Sequence, residues 1–219
     1  MEPYQRCVDY WDEVFSQEGG EHPQSGKSGN PALDEAIEWV CEGSERVLDF
    51  GCGNGVMLMI CSLLGTREHF GIDLSGEAIR SAKQKSAKME NGTFSFRQGG
   101  VAVLADDADA SFDAVILSNI LDNLFPEDAL LLLCECARLL KPCGKALVKL
   151  NPYLTETQIR EWGIRAIEGN LLDDGLLLWN NTNEQWREMF LPFFTIYREK
   201  DVYFPEHDQT NRLFLLVKN

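Results

Sequence analysis

The residues best placed to do chemistry begin with Val47-Leu48-Asp49-Phe50-Gly51-Cys52-Gly53-Asn54-Gly55. An apolar strand runs into a glycine-rich turn and then a helix, which predicts backbone N–H groups and the positive end of a helix facing a ligand. The spacing is G-x-G-x-G. The dinucleotide fingerprint G-x-G-x-x-G would need its third glycine where Val56 stands. Asp49 would repel a pyrophosphate and suits a ligand carrying an ammonium or a sulfonium. A second acid, Asp73, falls 22 residues after Gly51 in Gly71-Ile72-Asp73-Leu74-Ser75, where a carboxylate accepts both hydrogen bonds of a ribose diol. A third segment, Phe112 to Leu117, ends in the polar pair Ser118-Asn119 and is expected to reach the same crevice.

These segments need a scaffold that brings strand ends together, and the pattern supplies one. Strands are expected at Arg46–Phe50, Glu68–Ile72, Thr93–Arg97, Phe112–Leu117 and Lys145–Leu150. Helices are expected at Val56–Leu64, Ser75–Met89 and Pro126–Leu140, the last stopped by Pro142 and Gly144. Alternation with short connections predicts βαβ units and a parallel sheet covered on both faces. Phe193–Phe204 and Leu213–Val217 are joined by a turn too short for a crossover helix, so they are expected to pair antiparallel at the sheet's end. The predicted fold is a doubly wound, mostly parallel seven-stranded α/β sheet with an antiparallel last strand and helices on both faces.

Taken in order, these segments resemble the class I, seven-stranded, Rossmann-like S-adenosylmethionine-dependent methyltransferases of small-molecule type, over about residues 30–150. The resemblance puts the cofactor's methionine end on Asp49, Gly51, Cys52, Gly53 and Asn54, its ribose on Asp73, and its adenine against Leu74. Gly99, Gly100 and Val101 follow the third strand; there the family often has Gly-Asp, and Gly100 replaces the acid that takes the adenine amino group. Ser118 and Asn119 fall where the fourth strand contacts the methionine moiety. Cys143-Gly144 stands where the family normally has Gly-Gly, and Asp122-Asn123 where many relatives have two histidines.

The implied function is methyl transfer from S-adenosyl-L-methionine to a small-molecule acceptor, with S-adenosyl-L-homocysteine as product. The alternatives are a non-catalytic S-adenosylmethionine-binding or regulatory protein of the same fold, and an aminopropyl transferase, which needs an acidic pair where only Asp122 follows strand four. No side chain stands out as a general base; Asp122, Tyr153 and His22 are the candidates weighed.

Around this core the chain divides into an N-terminal helix and lid loop (1–30) and a cofactor-binding domain (31–219) with a substrate-side insertion (151–190). Cys7, Val8, Trp11, Val14 and Phe15 recur at helical spacing within 3–17, and 18–30 is polar and glycine-rich. The parts expected to shield the acceptor are Tyr4, Tyr10, Trp11 and Lys27 in the first segment and Tyr153–Trp179 in the insertion. Thr155-x-x-Gln158 and Thr182-x-x-Gln185 are possible capping boxes. Trp11, Trp162, Trp179 and Trp186 read first as core anchors.

Composition bounds the partners. The 219 residues carry 20 basic and 35 acidic side chains, a formal charge of −15, which disfavours a nucleic-acid partner. No apolar run is long enough to span a bilayer and no secretory leader opens the chain, so no membrane partner and a cytoplasmic location are expected. Seven scattered cysteines read as reduced thiols without a metal site, because four converging ligands are not evident.

Overall fold

The computed structural model describes residues 4–219. Five short apolar segments form the parallel strands β1 (Arg46–Phe50), β2 (Glu68–Asp73), β3 (Thr93–Gln98), β4 (Phe112–Ser118) and β5 (Leu140–Leu150). Two longer strands close the chain, β9 (Phe194–Phe204) and β10 (Gln209–Lys218). The sheet order is β3-β2-β1-β4-β5-β10-β9, with β10 antiparallel to both β5 and β9. The chain reverses its winding between β1 and β4, which makes the carboxyl ends of those strands the place where such a sheet opens a crevice.

Helix α2 (Pro31–Cys41) precedes β1, α3 (Val56–Leu63) and α4 (Gly76–Ser86) connect the first three strands, and α5 (Pro126–Leu139) leads into β5. Side chains of β1 alternate between two cores, as a doubly covered sheet requires. Leu48 and Phe50 pack with Leu117, Leu132 and Phe214, while Val47 packs with Ile37, Leu58 and Ile116. Side chains cap two of these helices: Asn30 Oδ1 accepts from Ala32 N and Leu33 N, and Ser75 Oγ from Ala78 N. Both Thr–Gln pairs form reciprocal capping boxes, opening α6 (Glu156–Glu161) and α7 (Asn183–Phe190).

Two expectations need correction, and one element carries no signal in the sequence. Helix α5 ends at Leu139, and β5 begins at once, because Leu140 already pairs with Phe112; Pro142–Gly144 loop out before pairing resumes at Ala114 and Lys145. Cys143 sits there at φ +61, a left-handed conformation natural to glycine, so the departure from Gly-Gly carries backbone strain. The insertion holds a separate antiparallel sheet of β6 (Arg165–Glu168), β7 (Leu171–Asp173) and β8 (Leu177–Trp179), strands too short to show an alternating pattern. Of the tryptophans read as anchors, Trp186 is fully buried, but Trp162 is 60% exposed and Trp11 41%.

The N-terminal helix α1 (Gln5–Ser16) lies across the crevice; residues 1–3 of the predicted helix and lid segment are outside the described residues. Its attachments are specific. Tyr4 donates its hydroxyl to Asp128 Oδ2 (2.5 Å) and accepts from Phe125 N (3.0 Å), and Arg6 pairs with Asp173 of β7. Asp12 Oδ1 accepts from Ser75 Oγ (2.5 Å) and Glu77 N (3.2 Å), so α1 satisfies a backbone donor at the start of α4. Below it, Glu18 accepts from Asn54 Nδ2 (2.6 Å) and Lys85 Nζ (3.0 Å). No helix among the described residues is long and apolar enough to cross a membrane.

Candidate active site

A cavity of about 470 Å³ opens at the carboxyl ends of β1, β2 and β4. That volume falls within the ~300–1,000 Å³ common for ligand pockets. Gly51, Gly53, Asp73, Leu74, Gly99, Gly100, Val101, Ser118 and Asn119 all line it, so one crevice gathers residues spread over 69 positions of the chain. Three of the residues expected there do not line it: Asp49, Cys52 and Asn54. Asn54 turns its amide to Glu18, Cys52 is buried close behind Gly71, and Asp49 is 2% exposed behind the loop.

Gly51 (φ +75) and Gly53 (φ +51) take left-handed conformations that a side chain strains against. Their role is shape more than donation. The N–H groups of Gly51 and Cys52 go to Ile72 O, that of Gly53 to Asp73 Oδ2, and that of Gly55 to Cys52 O. The expectation that these amides face a ligand is corrected accordingly: the turn spends them on itself and on β2, and leaves a smooth edge.

Asp73 is the charged centre of this edge. Its Oδ2 accepts from Gly53 N (2.8 Å) and its Oδ1 from Ser75 N (2.9 Å), which fixes the carboxylate and leaves each oxygen with acceptor capacity unused. Burial raises its pKa, opposed by those two hydrogen bonds and reinforced by the charge of Asp12. Beside it, a Cβ on Gly100 would meet only Leu74 Cδ2, at 3.6 Å, so the missing side chain leaves open room between Leu74 and Val101. Asp49, by contrast, has an Oδ1 without a hydrogen-bond partner, and burial, then the nearby Asp73 charge, pushes its pKa up to about 8. Burial thus favours its neutral form, and it is no exposed counter-charge.

At the end of β4, Asn119 is held at φ +54 by bonds from the neighbouring strand β5 and from β10 beyond it. Its N–H donates to Lys149 O (2.7 Å), and its Oδ1 accepts from Asn211 Nδ2 (3.1 Å), which also donates to Leu150 O (2.9 Å). Asn211 is 2% exposed and belongs to β10, so the last strand of the chain braces the site floor.

The opposite wall comes from α1 and α5. Tyr4, Cys7, Val8, Trp11 and Phe15 face the cavity from α1 and its first turn, and Leu131 from α5. Val8, Trp11 and Phe15 recur at helical spacing, a stripe visible in the sequence, though not the surface it covers. Leu131, Leu124 and Leu176 carried no signal beyond being apolar. The shield residues Tyr10 and Lys27 are not in the wall: Tyr10 stacks edge-on against Trp11 outside it, and Lys27 pairs with Glu38. From the Tyr153–Trp179 segment, Leu176 alone reaches the cavity.

None of the general-base candidates lines the cavity. Asp122 is fully buried, its Oδ2 accepting from Asn151 N (2.6 Å), and burial pushes its pKa up to about 6. Tyr153 is 42% exposed, and His22 makes its contacts with Gln24 in the polar loop.

Comparison with known proteins matches this architecture. Residues 48–148 match the methyltransferase domain family. That match covers the segment from β1 into β5, with its glycine turn, Asp73 and the end of β4. It is 28% identical over 126 residues to a ribosomal protein L11 methyltransferase of Ralstonia nicotianae, covering 56% of this chain and 39% of that protein. It is 32% identical over 116 residues to a ubiquinone biosynthesis O-methyltransferase of Albidiferax ferrireducens, covering 52% and 45%. The chain thus spans less than half the length of these curated relatives. In fold it is similar to the N-methyltransferase NodS of Bradyrhizobium japonicum in complex with S-adenosyl-L-homocysteine, with a TM-score of 0.70 at 13% identity, covering 97% of this chain and 98% of that one. A Burkholderia thailandensis 1,6-didemethyltoxoflavin-N1-methyltransferase gives 0.67 at 17% identity, covering 100% of this chain and 86% of that one.

Proposed function

We propose that this protein is a class I methyltransferase that binds S-adenosyl-L-methionine in the cavity and methylates a small-molecule acceptor. The observation that carries the reading is Asp73: a buried carboxylate, fixed by Gly53 and Ser75 amides, facing a cavity edged by side-chain-free positions. The residues fit the cofactor. Asp73 would take the ribose diol, Leu74 and Val101 would flank the adenine in the room left by Gly100, and Gly51, Gly53 and Ser118 would border the methionine end. When bound, the cofactor supplies a methyl group already activated on a sulfonium.

The chain's own residues then have three tasks. The glycine edge and Asp73 orient the donor, α1 covers the crevice and excludes water, and the apolar wall holds the acceptor opposite. This division of labour needs no acid or base in the wall. It also weakens the aminopropyl-transfer alternative, since Asp122 lies behind the wall and not in it. The free thiols, four of them buried, support a reducing, cytoplasmic setting.

Calorimetric titration with S-adenosyl-L-homocysteine and with NAD is the first test. Micromolar binding of the former and none of the latter is expected; the reverse would overturn the reading. Incubation with S-adenosyl-L-methionine and either small phenols and amines or ribosomal protein then tells a small-molecule acceptor from a protein one.

A further inference from the structure

The cavity has two chemically different halves. One is the glycine and Asp73 edge. The other is walled by Val8 and Trp11 of α1, Leu131 of α5, Leu124, Ile120 and Leu176. Trp11 and Leu131 remain 41% and 48% exposed, large apolar side chains left without cover beside a pocket. Among the described residues no Lys, Arg or His lines the cavity, and the charged ones that do are Asp73 and Asp128. Asp128 already accepts the Tyr4 hydroxyl, and Asp73 holds two backbone amides.

We propose that the methyl acceptor is an uncharged, ring-sized apolar molecule that presents its nucleophilic atom from the half walled by α1, α5 and Leu176. The inference rests on the methyltransferase reading above. An anionic acceptor would leave water for a wall that offers no counter-charge and two carboxylates. A cationic acceptor, or a lysine of a protein, would lose its hydration against leucine and tryptophan, while the acid of that half is engaged by Tyr4. An apolar ring loses nothing by desolvation and covers Trp11 and Leu131.

Three matched probes test this with S-adenosyl-L-homocysteine at saturation: 2-naphthol, its carboxylate relative 6-hydroxy-2-naphthoate, and its cationic relative 6-(aminomethyl)-2-naphthol. Calorimetry is expected to show 2-naphthol binding at least about tenfold tighter than either charged relative. Leu131→Asp is expected to remove most of that preference, with Leu131→Gln as the milder variant should the first not fold. Equal or tighter binding of a charged probe, no binding of 2-naphthol to the S-adenosyl-L-homocysteine complex, or undiminished 2-naphthol binding by the Leu131 variants would each overturn the proposal. A failure of S-adenosyl-L-homocysteine itself to bind the wild-type chain would instead bring down the methyltransferase reading.

Discussion

The ring of Phe15 closes over Gly53: a Cβ on that glycine would stand 2.9 Å from Phe15 Cζ. A helix from the start of the chain and a turn from its first strand therefore share one small space at the cavity edge. Gly53→Ala meets two costs there, the Phe15 contact and a left-handed φ of +51 that costs an L-residue about 1–2 kcal/mol. Weaker S-adenosyl-L-homocysteine binding, by tenfold or more, is expected by calorimetry. Adding Phe15→Leu relieves the contact but not the φ, so affinity should recover in part. A Gly53→Ala chain that binds as wild type would mean the turn is no part of the ligand bed.

Asp73 holds Gly53 and Ser75 through different oxygens, so its replacement acts on fold and ligand together. Asp73→Ala leaves two amides without acceptors, at about 1–3 kcal/mol each if they stay buried. Asp73→Asn keeps one acceptor oxygen and separates the effects: a small loss in thermal midpoint, and a loss of about 1–3 kcal/mol in cofactor binding. Unchanged affinity in Asp73→Asn would remove the ribose role from this residue.

What the sequence made legible was whatever depends on local pattern. The turn from Asp49 to Gly55, the acid at Asp73 and the polar end of β4 each follow from a strand meeting a helix, and they meet in space because parallel strands end together. What it did not reveal depends on direction and distant contact. Asp49 reads as a ligand acid because it stands beside the glycines, yet β1 alternates, and the face that places Phe50 at the cavity turns Asp49 away from it. Leu131 and Leu176 reach the site only through the angle of α5 and the fold of the insertion. Asn211, braced against Asn119, lies 92 residues from its partner, beyond any local pattern.

The bond from Ser75 Oγ to Asp12 Oδ1 joins α1 to the start of α4. If α1 acts as a lid for the site, this bond is its latch, and the polar loop 17–30 is the strap behind it. Asp12→Ala is expected to speed protease cleavage between Ser16 and Asn30, and S-adenosyl-L-homocysteine to slow it again by giving α1 a surface to rest on. Equal cleavage of variant and wild type, with or without ligand, would make the helix a fixed part of the fold.

Asp49 should set the slope of stability with pH. Its pKa, near 3.8 in an unfolded chain, rises to about 8 when folded, first from burial and then from Asp73. Below pH 4 both states hold the proton and the residue costs nothing. Between pH 4 and 8 the unfolded chain gives up a proton that the folded one keeps, so this residue's contribution to stability falls as pH rises, by at most about 1.4 kcal/mol per unit. Above pH 8 the slope ends. Asp49→Asn removes the titration with little change of volume, and groups remote from Asp49 and Asp73 titrate alike in both chains. The difference in urea stability between variant and wild type should therefore shift in the variant's favour from pH 4.5 upward and level off near 8. Parallel profiles would mean that Asp49 is ionised in the folded chain, its bare Oδ1 met by a hydrogen-bond donor or a positive charge.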